Sequence, residues 1–395
     1  MNRGFVGFAR RFAESPVGVA SLVVTLFFIF CALFAPWISP TDPYDLSKLQ
    51  LNDALKPVGA HKMVPGEEIR LDFAVTGGKA SAEGDARGIS AEPCGDNCLT
   101  VGMKSGGLAS LQIRNLPKGA TVEGATKHPI QPWWTVANPK DGMVKITSAD
   151  PLPRDFNFSV VAKTADHPTD FVFRLGTDAF GRDMLSAILY GIRISVFVGI
   201  VAAGTALVIG TGLGLLAAWR GGVTDAIIMR AVDFMLGFPS ILVGLAILAV
   251  LGSGVSKVVL AIVIVQWSYY ARTSRALAMS ELGKEYVEAA RCLRLPAWRI
   301  MVRHVLPNCL PQIIVLFTLN IAAAIALESS LSFLGVGLPL TQPSLGMLIA
   351  NGYQYIFSRQ YWLSLYPGIV LLVMIIAMNL LGDRLRDLNN PRLDN

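Results

Sequence analysis

Glu285-Tyr286-Val287-Glu288-Ala289-Ala290-Arg291-Cys292-Leu293-Arg294-Leu295-Pro296-Ala297-Trp298-Arg299-Ile300-Met301-Val302-Arg303-His304-Val305-Leu306-Pro307-Asn308 is a basic, amphipathic stretch that runs into the apolar residues 310–327. Another apolar run, 258–270, precedes it. A charged segment held between two apolar runs is the pattern of a loop at a membrane surface, with Lys and Arg marking the cytoplasmic side. Working outward, further apolar runs cover 17–37, 194–219, 226–251 and 363–381. A helical span needs about 20 mostly apolar residues. The expected fold is therefore an all-α transmembrane bundle of about six helices, with Pro239 kinking the third.

Composition agrees. Of 395 residues, 53% are hydrophobic and only 16% charged, against about 25% charged in ordinary soluble domains. The net charge of +6 does not indicate nucleic acid, because the basic residues sit at the ends of apolar runs. With the N-terminus cytoplasmic, Arg220, Arg230, the group from Arg272 to Arg303, and the tail with Arg384, Arg386 and Arg392 are cytoplasmic too. Lys257 and Arg359 then fall in outer loops, and Arg174, Arg182 and Arg193 are the exceptions to the rule. Both termini are expected inside, with residues 41–190 periplasmic. The first run follows Arg3, Arg10 and Arg11, as a signal peptide would. It is longer than an h-region of about 7–15 residues and lacks a small-x-small cleavage site, so it reads as a retained span.

Residues 41–172 are of another kind. They are polar, punctuated by Gly and Pro, and alternate with period two at 68–75, 99–103, 109–114, 143–147 and 156–162. Such alternation between turn residues marks half-buried strands, and several of them imply a small inserted β-sandwich. The chain thus divides into a first segment, 1–40, the β-rich insert, 41–172, and a helical core, 173–395, with a cytoplasmic loop at 280–308. Cys94 and Cys98 both lie in the insert. A disulfide suits the oxidising periplasm; two free thiols and a metal pair remain the other readings. Within the insert, Leu111-Gln-Ile-Arg-Asn-Leu-Pro-Lys-Gly-Ala-Thr-Val-Glu123 resembles the start of bacterial immunoglobulin-like or cadherin-like repeats, with Trp133-Trp134 and Phe156–Val160 at the places of later strands.

The loop quoted first resembles the "Glu-Ala-Ala" coupling loop of ABC importer permeases. Glu285, Tyr286, Glu288, Ala289, Ala290, Arg294, Leu306 and Pro307 stand on its pattern. The residues agree with it: two short helices with small residues on one face fit a groove of another protein, and Glu288 offers a carboxylate to a basic partner. A generic juxtamembrane helix is the alternative. Arg294 departs from the pattern, which has Gly where the chain turns, and Gly tolerates positive φ as Arg does not. Gly176-Thr177-Asp178-Ala-Phe-Gly181-Arg182-Asp183 resembles the turn leading into the second span of the second permease in oligopeptide, dipeptide and nickel importers. A structural role and a substrate contact are both open there. The tail Gly382 to Arg392 is similar to the ending of that family, with Asn390 where Asp is usual. Asp233 and Glu328 lie in or near apolar runs, where an ionisable residue marks either pairing or a translocation path.

The resemblance implies an importer assembled from this chain, a second homologous permease, two cytoplasmic ATPases, and a periplasmic or lipid-anchored binding protein. ATP and Mg would be bound by the ATPases, since this chain has no Gly-x4-Gly-Lys-Ser/Thr loop and no metal-spaced His or Cys cluster. No catalytic residues are expected. The solute would be a short peptide, or alternatively a nickel chelate, an opine or a glutathione-like compound. The insert would stand over the periplasmic mouth, docking the binding protein or gating the entrance. A membrane-anchored recognition or adhesion protein is the rival from another class; it explains the insert but not the loop. A secondary transporter would show an internal repeat and paired ionisable residues at span centres.

Overall fold

The computed structural model describes residues 11–45, 53–64, 66–76, 79–83, 89–95, 97–103, 108–139, 142–339 and 341–388. Arg3, Arg10, Asn390, Pro391 and Arg392 lie outside them. Two units form, one from Met1–Ala60 with Phe173–Asn395 and one from His61–Val172.

The first unit is helical. Helix α1, Pro16–Ile38, starts where Pro16 supplies a preset φ and the Ser15 hydroxyl accepts from Gly18 N at 3.2 Å. Helix α2, Met184–Arg220, is capped by Asp183 and ends at Gly221, whose φ is +61°. Helices α3, Gly222–Leu236, and α4, Ser240–Leu251, meet at 92°. Helix α5, Val255–Leu282, leads to the short α6, Glu285–Cys292. Helix α7, Ala297–Phe333, includes a π-helical turn at Met301–Val305. Helices α8, Leu345–Tyr353, and α9, Trp362–Leu388, complete the unit.

The expected helical bundle is present, with its spans counted by length and apolar composition. Among the described residues four helices are long and apolar enough to cross a membrane: α1, α2, α7 and α9. The α3–α4 pair makes a fifth only if both count as one span. Its break at Gly237-Phe238-Pro239 is sharper than a kink, because Pro239 has no N–H to continue the ladder and its φ and ψ lead into a new helix. The fourth expected run, 258–270, lies in α5. That helix has 28 residues, but Arg272, Arg275 and Glu281 make its second half polar. Its first half is buried against α2. At Gly210 and Gly214 of α2 an added Cβ would fall 2.3 Å from Trp267 O and 2.2 Å from Ser274 Oγ. Small residues allow this approach, which supplies the van der Waals contact that holds helices together in lipid.

The second unit is an antiparallel β-sandwich. One sheet has the order β4-β5-β10-β7 and the other β3-β2-β11-β6-β9-β8. These strands are β2 Glu68–Thr76, β3 Lys79–Glu83, β4 Ile89–Gly95, β5 Cys98–Met103, β6 Leu108–Arg114, β7 Ala120–Val122, β8 Thr126–Lys127, β9 Trp133–Ala137, β10 Met143–Ser148 and β11 Phe156–Thr164. All five strands expected from alternation are present. Their inward residues, among them Leu71, Phe73, Val101, Ile113, Ile146 and Phe158, form one core between the sheets. Strands β1, Ala60–Val64, and β12, His167–Phe173, pair with each other, so the chain enters and leaves this unit on neighbouring strands.

Cys94 and Cys98 form a disulfide at the turn of the β4–β5 hairpin. Closing so short a loop removes about 2 kcal/mol of chain entropy from the unfolded state. A Cys94→Ala/Cys98→Ala variant should therefore lose about 2 kcal/mol of stability in this unit, read by chemical denaturation monitored on Trp133 and Trp134. No change in midpoint would show that the bridge adds nothing.

Candidate functional site

Helix α6 is held on three sides. Val287 and Ala290 enter a core with Leu215, Ala278, Ile300, Val305 and Ile313. The Tyr286 hydroxyl donates to Glu281 Oε2 at 2.6 Å and accepts from Asn308 Nδ2 at 3.1 Å. Burial, followed by the Glu281 contact, pushes this phenol up to about 12, so it stays a protonated donor. Lys284 Nζ reaches the other oxygen of Glu281 at 2.6 Å. On the far side the Arg291 guanidinium lies over the Trp219 ring at 5.3 Å. Glu281, Asn308 and Trp219 were not singled out in the sequence; their role depends on contacts between α6 and the ends of α2, α5 and α7.

The turn after α6 answers the question set by Arg294. Arg294 takes a φ of +53°, the conformation in which a glycine would serve. Leu295 N donates to Ala290 O at 3.2 Å, and Arg294 N to Arg291 O at 2.9 Å. This pair is the Schellman arrangement, with Leu295 packed back on the α6 core. The turn is kept, and the arginine bears the strain.

Two expectations about this loop are corrected. The second short helix is no separate element, since Pro296 opens the 37-residue α7. Pro307 and Pro311 cannot donate, and the helix accommodates this with the π turn just before them rather than by breaking. Small residues on one outer face is the other: Ala289 is exposed, but Ala290 is 5% exposed and faces the chain's own core. What α6 and the start of α7 present outward is Glu285, Tyr286, Glu288 and Ala289, followed by Leu293, Arg294 and Trp298. Leu293 and Trp298 are 74% and 64% exposed. Leu306 is half-buried and Pro307 exposed.

The turn before α2 is a buried polar knot. Asp178 Oδ1 accepts from Phe180 N and Arg182 N, each at 2.9 Å, and Oδ2 accepts from Arg182 Nε at 2.6 Å. Both side chains are nearly inaccessible. Thr177 Oγ1 donates to Asp53 O at 2.5 Å and accepts from Lys56 N at 2.7 Å. Asp183 Oδ2 caps α2 through Ser186 N and Oγ, and Ser186 Oγ in turn accepts from Thr41 N at 3.1 Å. Gly176 and Gly181 take φ values of +79° and +77°. The motif thus ties the segment after α1 to the start of α2.

Glu328 is fully buried. Ser195 Oγ of α2 donates to it at 2.9 Å and, from its own helix, Ser332 Oγ at 2.8 Å and Ser329 Oγ at 3.3 Å. The carboxyl joins α2 to α7. Asp233 pairs with Arg272, and Asp225 with Arg275, so two ion pairs link α3 to α5. Among the described residues no group of three or more His, Cys, Asp or Glu is placed to hold a metal ion.

Four apolar helices of spanning length define a membrane-embedded chain, and comparison with known proteins gives its class. The family model described as binding-protein-dependent transport system inner membrane component matches residues 210–395. The N-terminal TM domain of oligopeptide transport permease C matches residues 5–57. A di/tripeptide transport system permease protein DppC of Pseudomonas aeruginosa is 41% identical over 223 residues, 56% of this chain and 73% of that relative. A dipeptide transport system permease protein DppC of Haemophilus influenzae is 38% identical over 56% of this chain and 75% of that one. A glutathione transport system permease protein GsiD of Pectobacterium atrosepticum is 37% identical over 55% and 72%. The chain belongs to the family of inner-membrane permease components of binding-protein-dependent transport systems, and is an integral inner-membrane protein.

Two outcomes are expected. Arg294→Gly should relieve about 1 kcal/mol of left-handed strain, seen as about fivefold slower amide exchange around residues 290–295; unchanged protection would mean the arginine is not strained. Asp178→Ala should leave the Arg182 guanidinium buried without its partner and cost about 3–5 kcal/mol, read as a lowered thermal midpoint of the purified chain. An unchanged midpoint would show that the knot does not hold the fold.

Proposed function

We propose that this permease passes short peptides from periplasm to cytoplasm, driven by ATP that two separate ATPase chains bind with Mg and hydrolyse on its cytoplasmic face. A second homologous permease completes the pathway, and a periplasmic or lipid-anchored binding protein delivers the solute. Both termini are cytoplasmic in this reading, and the β unit is periplasmic, where it helps to dock the binding protein. The peptide assignment is supported by the Pseudomonas and Haemophilus relatives, which are named for di/tripeptide and dipeptide transport. The Pectobacterium name keeps a glutathione-like solute as the second reading.

The observation that carries the coupling part is the outer face of α6, the turn after it and the start of α7. It mixes exposed apolar side chains, Leu293 and Trp298, with exposed Glu285, Glu288, Ala289 and Arg294. Exposed apolar groups rimmed by charge mark a protein interface. Glu288 faces outward, free to meet a basic groove, and Ala289 permits close approach. Ala290 packs from behind and the Tyr286 hydroxyl bonds Glu281 and Asn308, fixing α6 to α5 and α7 so that a push on the outer face moves the long helices. Asp233 and Glu328 serve pairing between helices in this reading.

Glu288→Arg should remove the ATPase chains from the complex purified in mild detergent, while the second permease stays. Retention of the ATPases in the variant would overturn the role of α6. Solute identity is checked by uptake of labelled di- and tripeptides against labelled glutathione in cells carrying the intact system. Peptide uptake lost on deleting the chain supports the first reading, and loss of glutathione uptake alone supports the second.

A further inference from the structure

Helix α2 carries two charged residues, Arg193 and Arg220, and they stand 27 positions apart. At 1.5 Å per residue this is about 40 Å, close to the distance between the two headgroup layers of a bilayer. One guanidinium therefore lies at each edge of the membrane. Arg193 belongs to the edge at which α2 begins.

Arg193 is exposed. It borders a groove of about 510 Å³ between α1, α2 and the first residue of α5. The groove is polar at one end only. Tyr44 and Gln342 join Arg193 there, while Leu33, Phe197 and Ile200 represent the apolar walls. These three are 66%, 55% and 40% exposed, so the walls continue into the apolar outer surface of the helices. Tyr44 is steadied by an edge-to-face contact with Tyr190, with centroids 5.1 Å apart. Its hydroxyl lies within the influence of the Arg193 charge and of the Asp42 carboxylate. Among the described residues no carboxylate forms a salt bridge with Arg193. Gln342 Oε1 is buried without a hydrogen-bond partner.

A cation at headgroup level above an apolar slot is complementary to a phosphate above an acyl chain. The unused amide oxygen of Gln342 is suited to a headgroup donor, an ammonium or a hydroxyl. We propose that this groove holds one phospholipid of the leaflet at the N-terminal end of α2, its phosphate on Arg193 and Tyr44 and one acyl chain between α1 and α2. A transported polar solute fits less well, because the walls are apolar and continuous with the lipid-facing surface.

The test is native mass spectrometry of the full chain purified with its co-expressed partners, titrated with phosphatidylglycerol and with phosphatidylethanolamine. The wild type should retain one phospholipid at activation energies that strip the rest. Arg193→Ala should lower that retained fraction about tenfold, as expected for one lost charge-assisted hydrogen bond. Arg220→Ala should leave it unchanged. Should Arg193→Ala fail to fold, Leu33→Trp fills the slot instead and should release the lipid. A photoreactive residue at position 197 identifies the occupant directly: capture of phospholipid supports the proposal. Equal retention in all variants, capture of the second permease, or displacement of the lipid by a short peptide would overturn it.

Discussion

The close approach of α2 and α5 is the constraint on which the helical unit rests. In lipid no hydrophobic force draws helices together, so contact area must do it. Gly210 and Gly214 let the α2 backbone come against Trp267 O and Ser274 Oγ. That contact lies at the middle of α5 and continues the packing of its first half on Val198, Ala202 and Ala206 of α2. The same pairing sets the ends of α2 and α5 beside one another, so Trp219 can receive Arg291 and Glu281 can receive Tyr286. The position of α6 is thus inherited from a contact formed by glycines several turns away.

Buried polar groups then fix which helices meet. A carboxyl in a dry interior is costly unless its oxygens are satisfied. Glu328 takes hydroxyls from two different helices, which ties the register of α2 to that of α7. Asp178 and Arg182 do the same locally, with Asp178 using both oxygens. Such groups specify an arrangement more than they strengthen it, since a well-packed apolar replacement of a buried ion pair is often as stable. The pairs Asp225–Arg275 and Asp233–Arg272 are more exposed. Exposed pairs are worth little in themselves; between α3 and α5 they select the register.

Much of this was legible in the sequence because it depends on periodicity. Five strands were expected from alternation, and each is present, since one inward face and one outward face leave a pattern of two. Strands β7 and β8 have three and two residues, too few to show a period. Strand β4 carries Pro93 and an irregularity before Gly95, which breaks its alternation. A disulfide was one of three readings of Cys94 and Cys98, and the structure forms it. The 92° break between α3 and α4 was foreseen only as a kink, because a proline marks the place of a bend and not its angle. The inward turn of Ala290 was illegible for a similar reason: two adjacent alanines on a helix lie about 100° apart, and only the packing of Val287 decides which one is buried. Arg294 was read as a difficulty, and the structure keeps the glycine-type turn with an arginine in it.

Exposed apolar side chains occur over the whole helical unit, and their charged neighbours distinguish those that meet lipid from those that meet protein. Leu26, Phe27 and Phe30 of α1 are at least half exposed, at 54%, 59% and 50%, with no charged residue anywhere in that helix. Hydrocarbon can cover such a face without burying a charge. Leu293 and Trp298 are as exposed, but they lie among Glu285, Glu288, Arg291 and Arg294. Placing that face in hydrocarbon would take four charges with it, at about 3 kcal/mol each on the translocon scale. Water alone leaves a tryptophan and a leucine uncovered at a turn whose arginine is held in a left-handed conformation. A protein groove with basic and apolar walls removes both difficulties, which is the physical ground for proposing a protein partner at α6 and lipid along the faces of α1.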